Sequence, residues 1–370
     1  MTKKIKVVHL FETYPIFYQP YMQLYEKELG KEECLNVKVV SFKNSSDKSV
    51  TVMPSYFLRN LMEKIGQVSN RQYRKLNYFE IYAKRQNADI IHIQDSYLFN
   101  KVTGMSLLSN KIKPKIVLTM RGAETYTKPW IFKKWKSFYK YYKDNINAYV
   151  VMSEHQKNYL HDKWQVAMDK IHVIPISFGE KFIQEPKNPN KKIIKIVSVF
   201  RLYWAKNITD NLKLVKTIKD LGYSIEYDIY GNGPDAEHIY FLRDKYNLHQ
   251  NVRIMGVLDN KILKKKLFEY DFIFQLSITE SLGMSVIEAQ SLGVPAVVSD
   301  TGGLVEVIVD GESGYIFENF DITAKKIIHL WENSLYYCSF SQKAVEYAHS
   351  KFSVDLEIEK TVALYKSLME

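Results

Sequence analysis

The 370-residue sequence predicts an α/β protein of two doubly wound, parallel-sheet domains. Three observations carry the prediction. Short runs rich in Val and Ile recur, separated by segments of helix length. Most of the runs are largely apolar instead of strictly alternating, as befits strands of a sheet covered on both faces. The rhythm breaks once, at "GEKFIQEPKNPNKK" (179–192), where two prolines and many polar residues show no periodicity and mark a linker. A chain of this length also exceeds what one hydrophobic core ordinarily serves.

The elements follow in order. Residues 1–178 supply "IKVVHL", "VKVVSF", "DIIHIQD", "KIVLTM", "AYVVMS" and "KIHVIP" as strands of the first sheet. Residues 193–352 repeat the pattern with "IIKIVSVF", "SIEYDIYG", "VRIMG", "DFIFQLS", "PAVVSD" and "GYIFE". Residues 353–370 read as a terminal helix with Leu356, Val362, Leu364 and Leu368 among its apolar positions.

Hydrophobic residues make up 46% of the chain and charged residues 25%, the balance of a soluble folded protein, which excludes a disordered or fibrous one. No run approaches the ~20 apolar residues of a membrane helix. Cys34 and Cys338 stand far apart outside any CxxC or metal-like spacing, and the N-terminus lacks a signal-peptide apolar region, so a cytoplasmic protein is expected. The net charge of +11 is unevenly spread: residues 1–185 hold 30 Lys and Arg against 17 acids, and residues 186–370 hold 22 against 24. A basic first half points to an anionic partner. No helix-turn-helix, zinc-finger or RNP-type pattern occurs, so nucleic acid is not expected.

Ligands of open α/β sheets bind beyond the carboxyl ends of the strands, so chemistry-bearing residues belong just after the apolar runs. Four stretches of the second half satisfy this. "RLYWAKN" places Arg201 and Lys206 in one loop, and "GNGPD" sets Gly231 and Gly233 at a strand-to-helix turn. "ESLGMSVIEAQSLGVP" carries Glu280 and Glu288 around Gly283, and "TGGLVEV" holds Gly302 and Gly303. Glycine at a helix start lets backbone N–H groups approach an anion, and the helix dipole favours negative charge there. The amides of Gly283, Met284 and Ser285 are therefore expected to face a phosphate, with Glu280 and Glu288 accepting hydrogen bonds from sugar hydroxyls. Arg201 and Lys206 would supply cations whose charge-assisted bonds strengthen as a diphosphate leaves. In the first half Asp95, Arg121 and Glu124 stand at strand ends and are candidates for binding an acceptor or sugar. Arg121 stays protonated at neutral pH and cannot act as a base. His92, inside an apolar run, reads as a core histidine.

"FRLYWAKN", "YGNGP" and "ITESLGMSVIEAQSLGVPAVVSDTGGLVEVIVDGESGYIF", with "VVMSE" and "VIPISFG", resemble the motif series of the retaining GT-B glycosyltransferases of the family-four type, including its Glu-x7-Glu signature. The resemblance covers roughly the whole second half. In the first half it rests on strand order and on "DIIHIQD", "TMRGAE" and "VVMSE". It implies two facing Rossmann-like domains with an interdomain cleft, a terminal helix crossing back to the first domain, and a nucleotide sugar bound by the second domain. It further implies an acceptor on the first domain, transfer with retention, and no essential metal or other cofactor. On this basis Glu288 binds ribose, Glu280 contacts the donor sugar, and Arg201 and Lys206 hold the pyrophosphate. Three departures stand out: a bulky "FETYPIFYQPY" replaces the glycine-rich loop after the first strand, Phe200 replaces the glycine before the Arg-Leu pair, and Arg121 replaces a histidine before Gly122.

Residues 128–143, "KPWIFKKWKSFYKYYK", hold six lysines and seven aromatics without an acid. As one helix they would align Ile131, Trp135, Phe138 and Tyr142, either to pack on their own sheet or to lie on an anionic membrane at the inner face of the plasma membrane. The expected activity is transfer of a hexose from a nucleotide sugar, UDP-linked, to a saccharide or lipid-linked acceptor in surface polysaccharide assembly. The alternative is a nucleotide-sugar-binding partner subunit without catalysis.

Overall fold

A computed structural model describes residues 3–15, 19–43, 45–69, 75–105, 114–179, 186–189 and 192–370. The chain divides into two compact units, one formed by Met1–Pro175 with Val354–Glu370 and the other by Ile176–Ser353. Of the 179–192 segment, 180–185 and 190–191 lie outside the described residues. Its Lys187 N–H donates to Ser341 Oγ at 2.8 Å, which attaches this part of the segment to the second unit.

The first unit contains β1 (Ile5–Phe11), β2 (Leu35–Ser41), β3 (Thr51–Val52), β4 (Ile90–Ile93), β5 (Lys115–Met120), β6 (Ala148–Val151) and β7 (Ile171–Val173). Its helices are α1 (Pro20–Leu29), α2 (Tyr56–Ser69), α3 (Tyr78–Arg85), α4 (Ala123–Tyr126), α5 (Lys128–Ile131), α6 (Lys133–Tyr141) and α7 (Glu154–Trp164). The strands pair in parallel in the order β3-β2-β1-β4-β5-β6-β7. Each predicted run contains a strand; β3, two residues at the sheet edge, is too short to have left a pattern. Val8, Leu10, Ile91, Ile93 and Leu118 form the centre of one covered face. The motif "VVMSE" is the end of β6 and the start of α7, where Ser153 Oγ accepts the Gln156 N–H at 3.2 Å.

Residues 128–143 correct the sequence reading in one respect and separate its two alternatives in another. The segment is not one helix, because Phe132 is extended (φ −102°, ψ 122°) between α5 and α6. The aromatic stripe takes the packing alternative, in the core of the first unit. Trp135, Phe138 and Tyr139 are buried, Phe138 lies 4.7 Å from the Phe99 ring, and Tyr139 stacks on Trp164 at 4.7 Å. These three large aromatics add to the core of the first unit, and the break at Phe132 leaves Ile131 exposed.

The second unit contains β8 (Ile194–Val199), β9 (Ile225–Tyr230), β10 (Val252–Gly256), β11 (Phe272–Gln275), β12 (Ala296–Val298) and β13 (Gly314–Ile316). Its helices are α8 (Ile208–Asp220), α9 (Ala236–Lys245), α10 (Asn260–Leu267), α11 (Met284–Gln290), α12 (Phe320–Glu332) and α13 (Ser334–Phe352). The sheet is again parallel, in the order β10-β9-β8-β11-β12-β13. Phe272, Phe274, Ile196, Tyr227 and Leu212 pack one core between strands and helices.

The last helix, α14 (Val354–Ser367), belongs to the first unit and packs on α1. Its buried Ile358, Val362 and Leu364 supply the apolar contact. Its Tyr365 hydroxyl sits between two buried histidines of adjacent strands, 2.7 Å from His9 Nε2 and 2.6 Å from His92 Nδ1. The chain continues to Glu26 Oε1, 2.6 Å from His9 Nδ1, and to Thr119 Oγ1, 2.7 Å from His92 Nε2. His92 is thus the satisfied core histidine expected. Burial, with His9 and Arg121 nearby, holds its pKa well below the usual imidazole value. A folded state that keeps His92 neutral loses stability as pH falls below about 6.5, where the unfolded chain takes up that proton. The melting temperature should therefore fall on acidification through that range, and Tyr365→Phe, which leaves both imidazoles short of a partner, should remove about 1–3 kcal/mol at neutral pH. An unchanged melting temperature for Tyr365→Phe would contradict this role for α14.

Candidate active site

In the second sheet β8 and β11 are neighbours, and the chain order reverses between them. The connections after these two strands leave toward opposite faces and open a crevice at their carboxyl ends. Lys206 closes the short helical turn Trp204–Lys206 after β8, and Glu280 lies in the loop after β11. Backbone hydrogen bonds tie the loops together: Ile278 N to Ala205 O at 2.8 Å, Leu202 N to Asn232 O at 3.0 Å, and Gly303 N to Glu280 O at 3.0 Å.

Two glycines make those approaches possible. A Cβ on Gly231 (φ 142°) would lie 1.9 Å from Phe200 O, and one on Gly302 (φ 55°) would lie 2.0 Å from Glu280 O. Any side chain there would push the loops apart. Gly233 lies equally close to the β8 loop, and Gly283 caps the start of α11 ahead of Met284 and Ser285.

Lys206 is 9% exposed and its ammonium is paired with the Glu280 carboxylate. Gln275, at the end of β11, donates to Glu280 Oε2 at 2.8 Å and accepts from Ser285 Oγ at 2.9 Å. Lys206, Glu280, Gln275 and Ser285 therefore form one connected group. Gln275 was not singled out from the sequence; the signal was a polar residue closing the otherwise apolar run "DFIFQLS". Arg201 shares the β8 loop but lies outside this group, its guanidinium 6.0 Å from the Tyr203 ring centre. Glu288 is buried on α11 and faces α10, 3.5 Å from Asn260 Nδ2. Burial raises its carboxyl pKa, with Lys264 and Asn260 acting in the opposite sense.

The first sheet reverses between β1 and β4, and its three sequence candidates gather near that point. Arg121 Nη1 is 3.7 Å from Asp95 Oδ1, and the Arg121 N–H donates to Glu124, which is buried at the start of α4. Arg121 Nη2 also reaches Gln94 Oε1 at 3.3 Å. Asp95 Oδ2 accepts the Glu12 N–H at 2.8 Å, and the Glu12 carboxylate accepts from the Tyr97 hydroxyl. Burial raises the Asp95 pKa despite the Glu12 N–H and Arg121, which lower it. Glu12 and Gln94 were missed in the sequence, although Glu12 opens the "FETYP" loop whose departure from glycine was noted. Residues 16–18 of that loop lie outside the described residues.

Residues 179–350 match the family model of glycosyl transferases group 1, and residues 37–176 match that of Glycosyltransferase Family 4. The chain belongs to the glycosyl transferases group 1 family and has the GT-B fold. It is 26% identical over 255 residues to the poly(ribitol-phosphate) alpha-N-acetylglucosaminyltransferase of Staphylococcus aureus (strain COL), a match covering 68% of this chain and 50% of that protein. It is 28% identical over 305 residues to an uncharacterized 41.2 kDa protein in the cps region of Klebsiella pneumoniae, covering 77% and 80% of the two chains. The chain spans half or less of the length of the first three curated relatives it matches. Among solved structures, TarM superposes with a TM-score of 0.76 at 15% identity over 98% of this chain and 99% of that chain. Anabaena Alr3699/HepE, solved in complex with UDP and glucose, gives 0.71 at 14% identity over 98% and 100%. At these identities the structures share the fold.

The glycine argument is testable by comparison with a glycine that has space around it. Gly302→Ala should cost about 1–3 kcal/mol more than Gly222→Ala by thermal unfolding, because at Gly222 (φ 92°) an added Cβ meets nothing within 4 Å. Equal costs would show that the contact with Glu280 O does not hold the loops together.

Proposed function

We propose that this chain is a retaining hexosyltransferase that moves a hexose from a UDP-linked donor to a saccharide acceptor carried on lipid, in the assembly of surface polysaccharide. The observation that carries the reading is the buried Lys206–Glu280 pair at the β8/β11 reversal, joined through Gln275 to Ser285. The Glu280 carboxylate neutralises the Lys206 ammonium. When a nucleotide sugar enters, the ammonium meets the diphosphate and Glu280 accepts from a sugar hydroxyl. The amides of Gly283, Met284 and Ser285 receive the pyrophosphate, Gly231 and Gly233 let the backbone come close to it, and Arg201 adds a second cation. Glu288, buried and hydrogen-bonded by Asn260, takes the ribose hydroxyls.

The reaction breaks the bond from the anomeric carbon to the diphosphate and forms one to the acceptor oxygen. The acceptor proton passes to a departing diphosphate oxygen on the same face, which retains the configuration without a protein nucleophile. Charge builds on the diphosphate as this happens, and Lys206 and Arg201 bind it more strongly than in the ground state. Asp95, Arg121, Glu124 and Glu12 offer the acids and the cation that would orient acceptor hydroxyls. The names of the relatives support the reading: the S. aureus protein is an N-acetylglucosaminyltransferase, and HepE was also crystallised with UDP-glucose.

Incubation with a panel of radiolabelled nucleotide sugars and saccharide acceptors, followed by product analysis, tests the proposal. A transferred hexose of unchanged anomeric configuration is expected, and Lys206→Ala should lower kcat by about 100-fold or more. A loss under about threefold would remove Lys206 from the mechanism. Nucleotide affinity without transfer to any acceptor would identify a binding subunit instead.

A further inference from the structure

Helix α2 is built inside out. Its polar side is the attached one: Glu63 Oε2 accepts the Tyr78 N–H at 3.1 Å, Gln67 Nε2 donates to Leu76 O at 2.9 Å, and Gly66 is buried against Ile81. Its apolar side faces solvent. Phe57, Leu58, Leu61, Met62, Ile65 and Val68 are between 42% and 88% exposed, and at 100° per residue they fall within an arc of about 140°. An ordinary surface helix turns such a stripe toward the core. One held outward by hydrogen bonds on its opposite side marks an interaction surface.

The charges around the stripe identify what it meets. Among the described residues of 42–75, five are Lys or Arg and two are acids, Asp47 and Glu63, and Glu63 is turned inward toward α3. Lys43, Lys48 and Lys64 are exposed, and Arg59 and Lys101 lie 4.9 and 5.5 Å from the Phe42 ring centre. An apolar strip bordered by cations is complementary to lipid acyl chains beneath anionic headgroups. A second copy of this chain fits poorly. The like-charged borders would repel, and a strip about 21 Å long and about 10 Å wide offers a few hundred Å², short of the ~800 Å² per partner of a stable interface.

We infer that α2 is the helix by which this protein lies on an anionic membrane surface. Its first turn follows β3, so it begins at the carboxyl end of the first sheet, the end that also carries the Glu12–Asp95–Arg121 group, and Lys43 Nζ is 3.4 Å from Glu12 Oε2. Resting on the proposed lipid-carried acceptor, this places the acceptor group beside the headgroups where such an acceptor resides. The docking itself requires no turnover.

The test is sedimentation of the full chain with vesicles of equal parts phosphatidylglycerol and phosphatidylcholine, or of phosphatidylcholine alone, without any donor. The wild type should pellet with the anionic vesicles. A triple variant Leu58→Ser/Leu61→Ser/Ile65→Ser, altered only at solvent-facing positions and checked by circular dichroism, should bind about 100-fold more weakly or less. Reversal of Lys43, Lys48 and Lys64 to Glu should abolish the preference for phosphatidylglycerol. Wild-type protein remaining in the supernatant, or a triple variant that pellets like wild type, overturns the inference. So does light scattering that shows a wild-type dimer made monomeric by the triple change, which would assign the stripe to a second copy. Transfer to a soluble acceptor with vesicle binding absent would overturn α2 docking and leave the transferase reading standing.

Discussion

The pairing of Lys206 with Glu280 is the contact on which the candidate site depends. A lysine placed after one strand and a glutamate after another, 74 positions apart in the chain, meet because β8 and β11 are adjacent in a parallel sheet whose order reverses there. At that reversal the two connections diverge and the space between them stays open. The backbone bond from Ile278 to Ala205 and the close passage of Gly302 over Glu280 hold the loops at one separation. Neither charge could be buried to this extent alone, so each fixes the other.

The first unit applies the same geometry to different chemistry. Its reversal gathers Glu12, Asp95, Arg121 and Glu124, with the guanidinium beside Asp95, Asp95 bonded to the Glu12 backbone and Glu124 bonded to the Arg121 backbone, backed by a buried chain of His9, Tyr365, His92 and Thr119. Tyr365 comes from the last helix, so the end of the sequence completes the polar layer beneath the acceptor candidates. The second unit, by contrast, works with one lysine–glutamate pair, an amide side chain and glycines. That contrast suits one surface that orients neutral hydroxyls and another that holds a diphosphate.

Much of this architecture was legible in the sequence because parallel strands buried on both faces announce themselves as unbroken apolar runs. All twelve Val- and Ile-rich runs contain strands, and the stretches that follow them hold the candidate site residues. What escaped has physical reasons. Strand β3 is two residues of edge pairing with no period to read. Gln275 and Gln94 are polar residues at strand ends whose partners lie far away in sequence. The segment 128–143 showed an aromatic stripe, but periodicity cannot say whether a stripe meets a core or a membrane, and Phe132 breaks the helix without Pro or Gly to mark it. Helix α2 inverts the usual rule: its apolar period is plain, yet only the hydrogen bonds of Glu63 and Gln67 reveal that the stripe points outward.

The central claim is that Lys206 and Glu280 act as one unit that exchanges partners when a diphosphate arrives. Calorimetric titration with UDP of the wild type, Lys206→Met, Glu280→Gln and the double variant tests it directly. Lys206→Met should weaken binding by about tenfold or more. Glu280→Gln should tighten it about threefold or more in the presence of Lys206 and leave it unchanged in the Lys206→Met background. Independent, additive effects of the two substitutions, or no UDP binding by the wild type, would contradict the account.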